Sequence, residues 1–111
     1  MFDPYGWEAI DWDDEEDEDG NLAHCLRHGV DEAVVDGVLR ERPVEIKLRP
    51  VYAEYVVAGP DGGWAVLWTI LFDRSFKRGD WLRPITGWPS KVAEVRKWES
   101  ATGLMWSGSH G

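Results

Sequence analysis

The sequence predicts an α+β fold with two short N-terminal helices, a four-stranded antiparallel meander and a C-terminal helix. Three observations carry that prediction. The run Trp64 to Phe72 has no charge and is rich in β-branched and aromatic types. Extended, it turns apolar side chains to both faces, as a strand covered on both sides does. The hydrophobic period changes at Pro43 from that of a helix to that of a strand. Finally, Gly59-Pro60-Asp61-Gly62-Gly63 lies between two apolar runs and is the strongest turn signal in the chain.

Taken in order, residues 1–12 read as an irregular or briefly extended arm that docks through Trp7 and Trp12. The acidic run Asp13 to Asp19 is a solvated segment by default, and it also suits the N-terminal end of a helix dipole. Leu22, Cys25 and Leu26 then form one apolar stripe, so a first helix starts near Asn21. His28-Gly29-Val30 stops it, with Gly29 able to take the left-handed conformation and Val30 folding back on Cys25. Asp31 is an N-cap candidate for a second helix with Val34, Val35, Val38 and Leu39 inward. Gly37 weakens that helix and Pro43 closes it. Val44, Ile46 and Leu48 alternate with charged residues as a first strand, and Arg49-Pro50 makes a turn.

Tyr52 to Ala58 is the second strand and Trp64 to Phe72 the third. Asp73 to Asp80 is a polar, basic, mobile loop. Trp81 to Thr86 is the fourth strand, expected at a sheet edge because Pro84 cannot donate to a ladder. Ser90 is the N-cap candidate for a third helix, Lys91 to about Glu99, with Val92, Val95 and Trp98 inward. The predicted organisation is an acidic arm over 1–20, one domain over 21–99, and a flexible tail over 100–111.

A chain of 111 residues that is 43% hydrophobic can bury one core. The single cysteine, Cys25, excludes an internal disulfide and sits on a packing stripe. The first residues are acidic and no apolar run reaches about 18 residues, so neither a signal peptide nor a membrane span is expected. The expectation is a soluble, cytoplasmic protein. The net charge of −9 conceals an asymmetry: residues 1–20 hold ten acids and no base, while the rest holds 12 basic and 11 acidic residues. Arg74 to Lys97 alone carries seven basic residues against Asp80 and Glu94.

Asn21-x-x-His24-x-x-Arg27-His28-Gly29-Val30, followed by a short helix ending in Val38-Leu39-x-x-x-Pro43, resembles the BrnT-like toxins of bacterial type II toxin–antitoxin modules. Tyr55-Val56-Val57-Ala58-Gly59 with Asp61-Gly62-Gly63 is similar to that family's second-strand hairpin. Arg83-Pro84-Ile85-Thr86 and then Glu94 are similar to its last strand and closing helix. The resemblance spans about residues 17 to 99. It implies a RelE-like ribonuclease fold, RNA as substrate, no metal or other cofactor, and a cognate antitoxin that neutralises the toxin by binding it. Such enzymes position a ribose 2′-hydroxyl for attack on the adjacent phosphate, which requires proton transfer and positive charge.

For that chemistry His28 is the candidate proton shuttle and Arg83 the candidate phosphate brace. Arg27, Lys91 and Arg96 are candidates for the RNA backbone, and Trp88, between Gly87 and Pro89, for a base-stacking platform. The pattern is broken at several of the family's positions. Gly87-Trp88 stands where Ala-Arg is usual, Trp98 where Tyr is usual, Pro60 where Arg often follows the glycine, and Asp17-Glu18 where Trp-Asp begins the family.

Each change removes a positive or proton-transferring group or adds negative charge. A second expectation therefore stands beside the first: a non-catalytic protein-binding module on the same fold, its acidic arm acting as nucleic-acid mimic or self-inhibitor. Simpler roles also exist for single residues. His28 serves as a helix stop, Arg27 and Arg83 as surface ion-pair partners, and Lys91, Arg96 and Lys97 on the third helix as solvated charges. His24 and His28 lie on one helical face, but no third ligand is fixed near them for a metal.

Overall fold

The computed structural model describes residues 2–49 and 52–107. The chain forms β1 (Ala9–Ile10), α1 (Asn21–Arg27), α2 (Glu32–Arg40), β2 (Val44–Glu45), β3 (Tyr55–Pro60), β4 (Leu67–Arg74), β5 (Trp81–Pro89) and α3 (Val92–Thr102). One sheet carries all five strands in the order β1-β5-β4-β3-β2. Strands β2 to β5 are antiparallel neighbours in chain order, and β1 adds parallel to β5. The α+β class is as the sequence predicts, but the sheet is mixed and has a fifth strand drawn from the arm. Two residues flanked by Glu8 and Asp11 are too few to show a period, so β1 left no signal.

β4 lies in the middle and shows the expected two-faced burial. Trp68, Ile70 and Phe72 pack with Cys25 of α1, Val30 of the turn that follows it, and Val35 and Val38 of α2. Leu67 and Leu71 pack on the other face with Val56, Ala58 and Trp98 beneath α3. The sheet is therefore sandwiched between two helical layers. The strand starts later than predicted. Asp61 accepts the N–H groups of Trp64 and Ala65 through its carbonyl and carboxylate, and its own N–H donates to Val66 O. The turn so extended holds Trp64 at φ +55°, outside the strand. Its ring packs instead with Trp98 and Trp106, at centroid distances of 6.0 and 6.2 Å.

The helix stops follow the sequence closely. Gly29 lies at φ +81°, its N–H donates to Leu26 O, and the Val30 N–H donates to Cys25 O, the two bonds of a Schellman cap. Asp31 caps α2, its carboxylate accepting the Val34 N–H at 2.8 Å. Gly37 lets α2 approach the β3–β4 turn, where an added Cβ would stand 2.5 Å from Gly62 N. Pro84 lies beyond the two β5 residues paired with β1, so the outer edge of β5 has no strand beside it there. A register shift between Leu71 and Phe72 marks a bulge at Ile85.

α3 departs from its predicted rotation. It begins at Val92, one residue past Lys91 at the cap position, and Ser90 bonds to Thr69 instead. Glu94 and Trp98 face the sheet, while Val92 is 68% exposed. The Glu94 carboxylate sets this rotation, accepting from Thr69 Oγ1, Trp88 Nε1 and the Lys91 N–H through one oxygen. A buried carboxylate requires such donors, and the strand supplies two of them. The helix runs past Ser100 to Thr102, ends on Gly103 at φ +75°, and Trp106 packs back on Trp98. Part of the Arg49-Pro50 turn, and residues 108–111 of the expected tail, lie outside the described residues. Among the described residues no helix is long and apolar enough to cross a membrane.

Candidate functional site

Where β5 runs past β1, its exposed edge and the start of α1 enclose a depression of about 400 Å³. Its walls are Asp19 and Gly20, then Asn21, His24 and Arg27 of α1, and Arg83 and Ile85 of β5. Of the six residues the sequence singles out, Arg83 and Arg27 meet here. His28 is the residue capping α1, exposed, with its ring 4.9 Å from that of His24, and it is not part of the wall. The histidine that lines the depression is His24, one turn earlier.

The other three candidates lie under or on α3. The Trp88 indole N–H donates to Glu94 and its ring carries the Lys91 ammonium at 5.8 Å, so it is no open stacking platform. Arg96 borders a separate shallow groove of about 290 Å³ with Val95 and Trp106. The candidates thus fall into two groups, Arg27 and Arg83 at the exposed edge of β5 and Trp88, Lys91 and Arg96 beside α3, a separation that linear spacing hides.

Arg83 is engaged. Its two terminal nitrogens donate to the two carboxylate oxygens of Asp13 at 2.9 and 2.6 Å, a forked pair, and Nη1 also reaches Asp11 at 3.4 Å. The Arg83 hydrogen bonds hold the Asp13 carboxyl down at about 2, helped by the Asn21 N–H. The same pairing with Asp13 raises the Arg83 guanidinium above its ordinary value. Asp11 is 2% exposed; it accepts from Ser75 Oγ at 2.7 Å and faces the Lys77 ammonium at 3.9 Å. Glu8 pairs with Arg78 at 3.1 Å. The arm therefore folds over the basic β4–β5 loop and Arg83, not over α3.

Asn21, which opens the first helix and the His24 motif in the sequence, has a structural role that its position there does not reveal. It is buried; its amide donates to Asp11 O and Pro84 O, and its Oδ1 accepts the Asp13 N–H. Asp13 in turn accepts the Asn21 N–H and so caps α1 from eight residues away. The acidic run between them is two successive turns closed by Asp14 and Asp17 carboxylates, not a helix start. Arg27 holds these turns against α1 by donating to Glu18 O and Ala23 O. This bridging role left no local signal, because the partners of Asn21 are main-chain atoms remote in sequence.

Among the described residues no three His, Cys, Asp or Glu side chains are placed to hold a metal ion. Cys25 is fully buried, and burial pushes its thiol up to about 11. Together these features define a small α+β protein with a cationic edge site occupied by carboxylates of its own arm. Comparison with protein-family models, curated proteins and solved structures finds no match for this chain.

Proposed function

We propose that the protein is a BrnT-like, RNA-directed module, a metal-independent endoribonuclease toxin whose phosphate seat is closed by its own acidic arm. The observation that carries this reading is the forked Asp13–Arg83 pair. A carboxylate set symmetrically on a guanidinium occupies the position a phosphate diester takes on the same group. With Asp13 displaced, Arg83 and Arg27 bind the phosphate backbone from two sides of one depression. His24 is the side chain there that can accept a proton from the attacking 2′-hydroxyl. His28, at the neighbouring turn, holds the His24 ring in place by contact. A cognate antitoxin, as in the modules the sequence resembles, is the partner that would keep the arm seated.

A second reading has its own support. Three of the six candidate residues, Trp88, Lys91 and Arg96, lie beside α3 away from Arg83, and both terminal nitrogens of Arg83 are engaged by Asp13 while the arm is seated. On that reading the module binds protein and has no activity toward RNA.

The Asp13→Asn variant separates the two. It keeps an oxygen for the Asn21 N–H but removes the charge on Arg83. Affinity for a fluorescent single-stranded RNA should rise by about ten-fold over the parent, with a steeper salt dependence. Adding Arg83→Ala should abolish the gain. Cleavage in the presence of chelator by the Asp13→Asn protein, lost in Asp13→Asn/His24→Ala, supports the nuclease; binding without cleavage supports the module. Unchanged RNA affinity in Asp13→Asn would remove the Arg83 seat altogether.

A further inference from the structure

The strand that closes Arg83 has a second side. Side chains alternate along the arm, so that Asp11 and Asp13 turn to Arg83 while Ile10 and Trp12 turn away. They face two adjoining depressions between the arm and α2, of about 390 and 340 Å³. Both include Ile10 and Asp36, so they form one continuous groove. Its floor is apolar, from Trp7, Ile10, Trp12 and Leu39, all partly buried on the core. Its charged rim is net acidic by one: Glu8, Glu32 and Asp36 stand against Arg40, paired with Asp36, and Arg78, paired with Glu8.

We propose that this groove docks a basic amphipathic segment of a partner polypeptide. The apolar floor asks for large aliphatic side chains, and the rim asks for lysine or arginine between them. A net negative rim over an apolar floor favours a basic polypeptide over nucleic acid as the occupant. Because Ile10 and Trp12 form one wall, a seated segment also fixes Asp11 and Asp13 on Arg83. Occupation of the groove therefore tightens closure of the edge site; this coupling, though not the docking, rests on the function proposed above.

The test uses the full chain and a fluorescein-labelled synthetic peptide of alternating lysine and leucine, with a glutamate–leucine peptide as control. Anisotropy should report binding of the lysine peptide and none of the glutamate peptide. The Glu32→Lys/Asp36→Lys variant should weaken binding by about ten-fold. Ala33→Trp, which fills the groove without altering its charge, should weaken it comparably, with thermal melts checking that both variants fold. Equal binding of the two peptides, or full affinity in either variant, would overturn the proposal. No RNA is present, so failure here leaves the Arg83 seat standing, and failure of Asp13→Asn to gain RNA leaves the groove standing. In the parent protein the lysine peptide should further reduce RNA binding; an increase would overturn the coupling.

Discussion

Asn21 joins four parts of the chain at one buried amide: the arm, the acidic turns, α1 and β5. Asn21→Ala removes three hydrogen bonds and leaves two buried carbonyls and an N–H without partners. The expected loss is about 2–3 kcal/mol, read from urea unfolding. A loss under about 0.5 kcal/mol would mean that water replaces the amide. Gly37 offers a second test at this scale, because two effects oppose each other there. Helix propensity favours alanine by up to about 1 kcal/mol. The Cβ of alanine would stand 2.5 Å from a backbone nitrogen of the adjoining turn, which cannot yield as a flexible side chain does. Gly37→Ala should therefore lower stability, and a higher melting temperature would show that propensity outweighs the contact.

At the scale of elements, the arm is held by polar and ionic contacts more than by a long ladder. β1 has two residues, and its neighbours Glu8 and Asp11 extend the pairing through Asp80 O and Leu82 O. The indole N–H groups of Trp7 and Trp81, both at this seat, are buried without an acceptor. Each such group costs about 1–3 kcal/mol, so the seat is less favourable than its contacts suggest. Amides of β1 should exchange with solvent deuterium ahead of those of β4, which lies between two strands.

The pH dependence of the closure has a defined sign. Asp13 has a folded-state pKa of about 2, below its ordinary 3.8. Its contribution is complete above about 3.8 and is lost as pH falls toward about 2. Melting temperatures of the parent and of Asp13→Asn should therefore converge as pH drops through that window. A constant gap would assign the difference to the amide substitution and not to the charge.

At the scale of the whole molecule, the helix stops, the antiparallel run of strands and the two-faced central strand were all legible in the sequence. They depend on local rules: a glycine where φ must be positive, an aspartate before a helix, a period of two. Contributions from distant segments were not legible. The fifth strand is too short to carry a period, and the rotation of α3 depends on Thr69 and Trp88 meeting Glu94. Arg27 and Arg83, singled out for different roles in the sequence, are brought together by the fold in one depression. The histidine that lines that depression is His24 and not His28, because the spacing of α1 alone cannot say which side faces β5. The acidic arm, expected as a nucleic-acid mimic or self-inhibitor, pairs through Glu8, Asp11 and Asp13 with Arg83 and the basic β4–β5 loop. Its target was set by Asn21 and by the parallel pairing of β1, neither of which leaves a mark in composition.

Seventy residues separate Asp13 from Arg83. A ribosome therefore completes the plug long before it makes the socket. While the chain emerges, the arm has nothing to pair with, and the hairpins and first two helices can form without it. Closure has to wait for β5, so it belongs to the last steps of folding, when loop-closure entropy over most of the chain is offset by the finished sheet edge. Each copy thus carries one Asp13 for its one Arg83, and their pairing is made only as the sheet edge is finished.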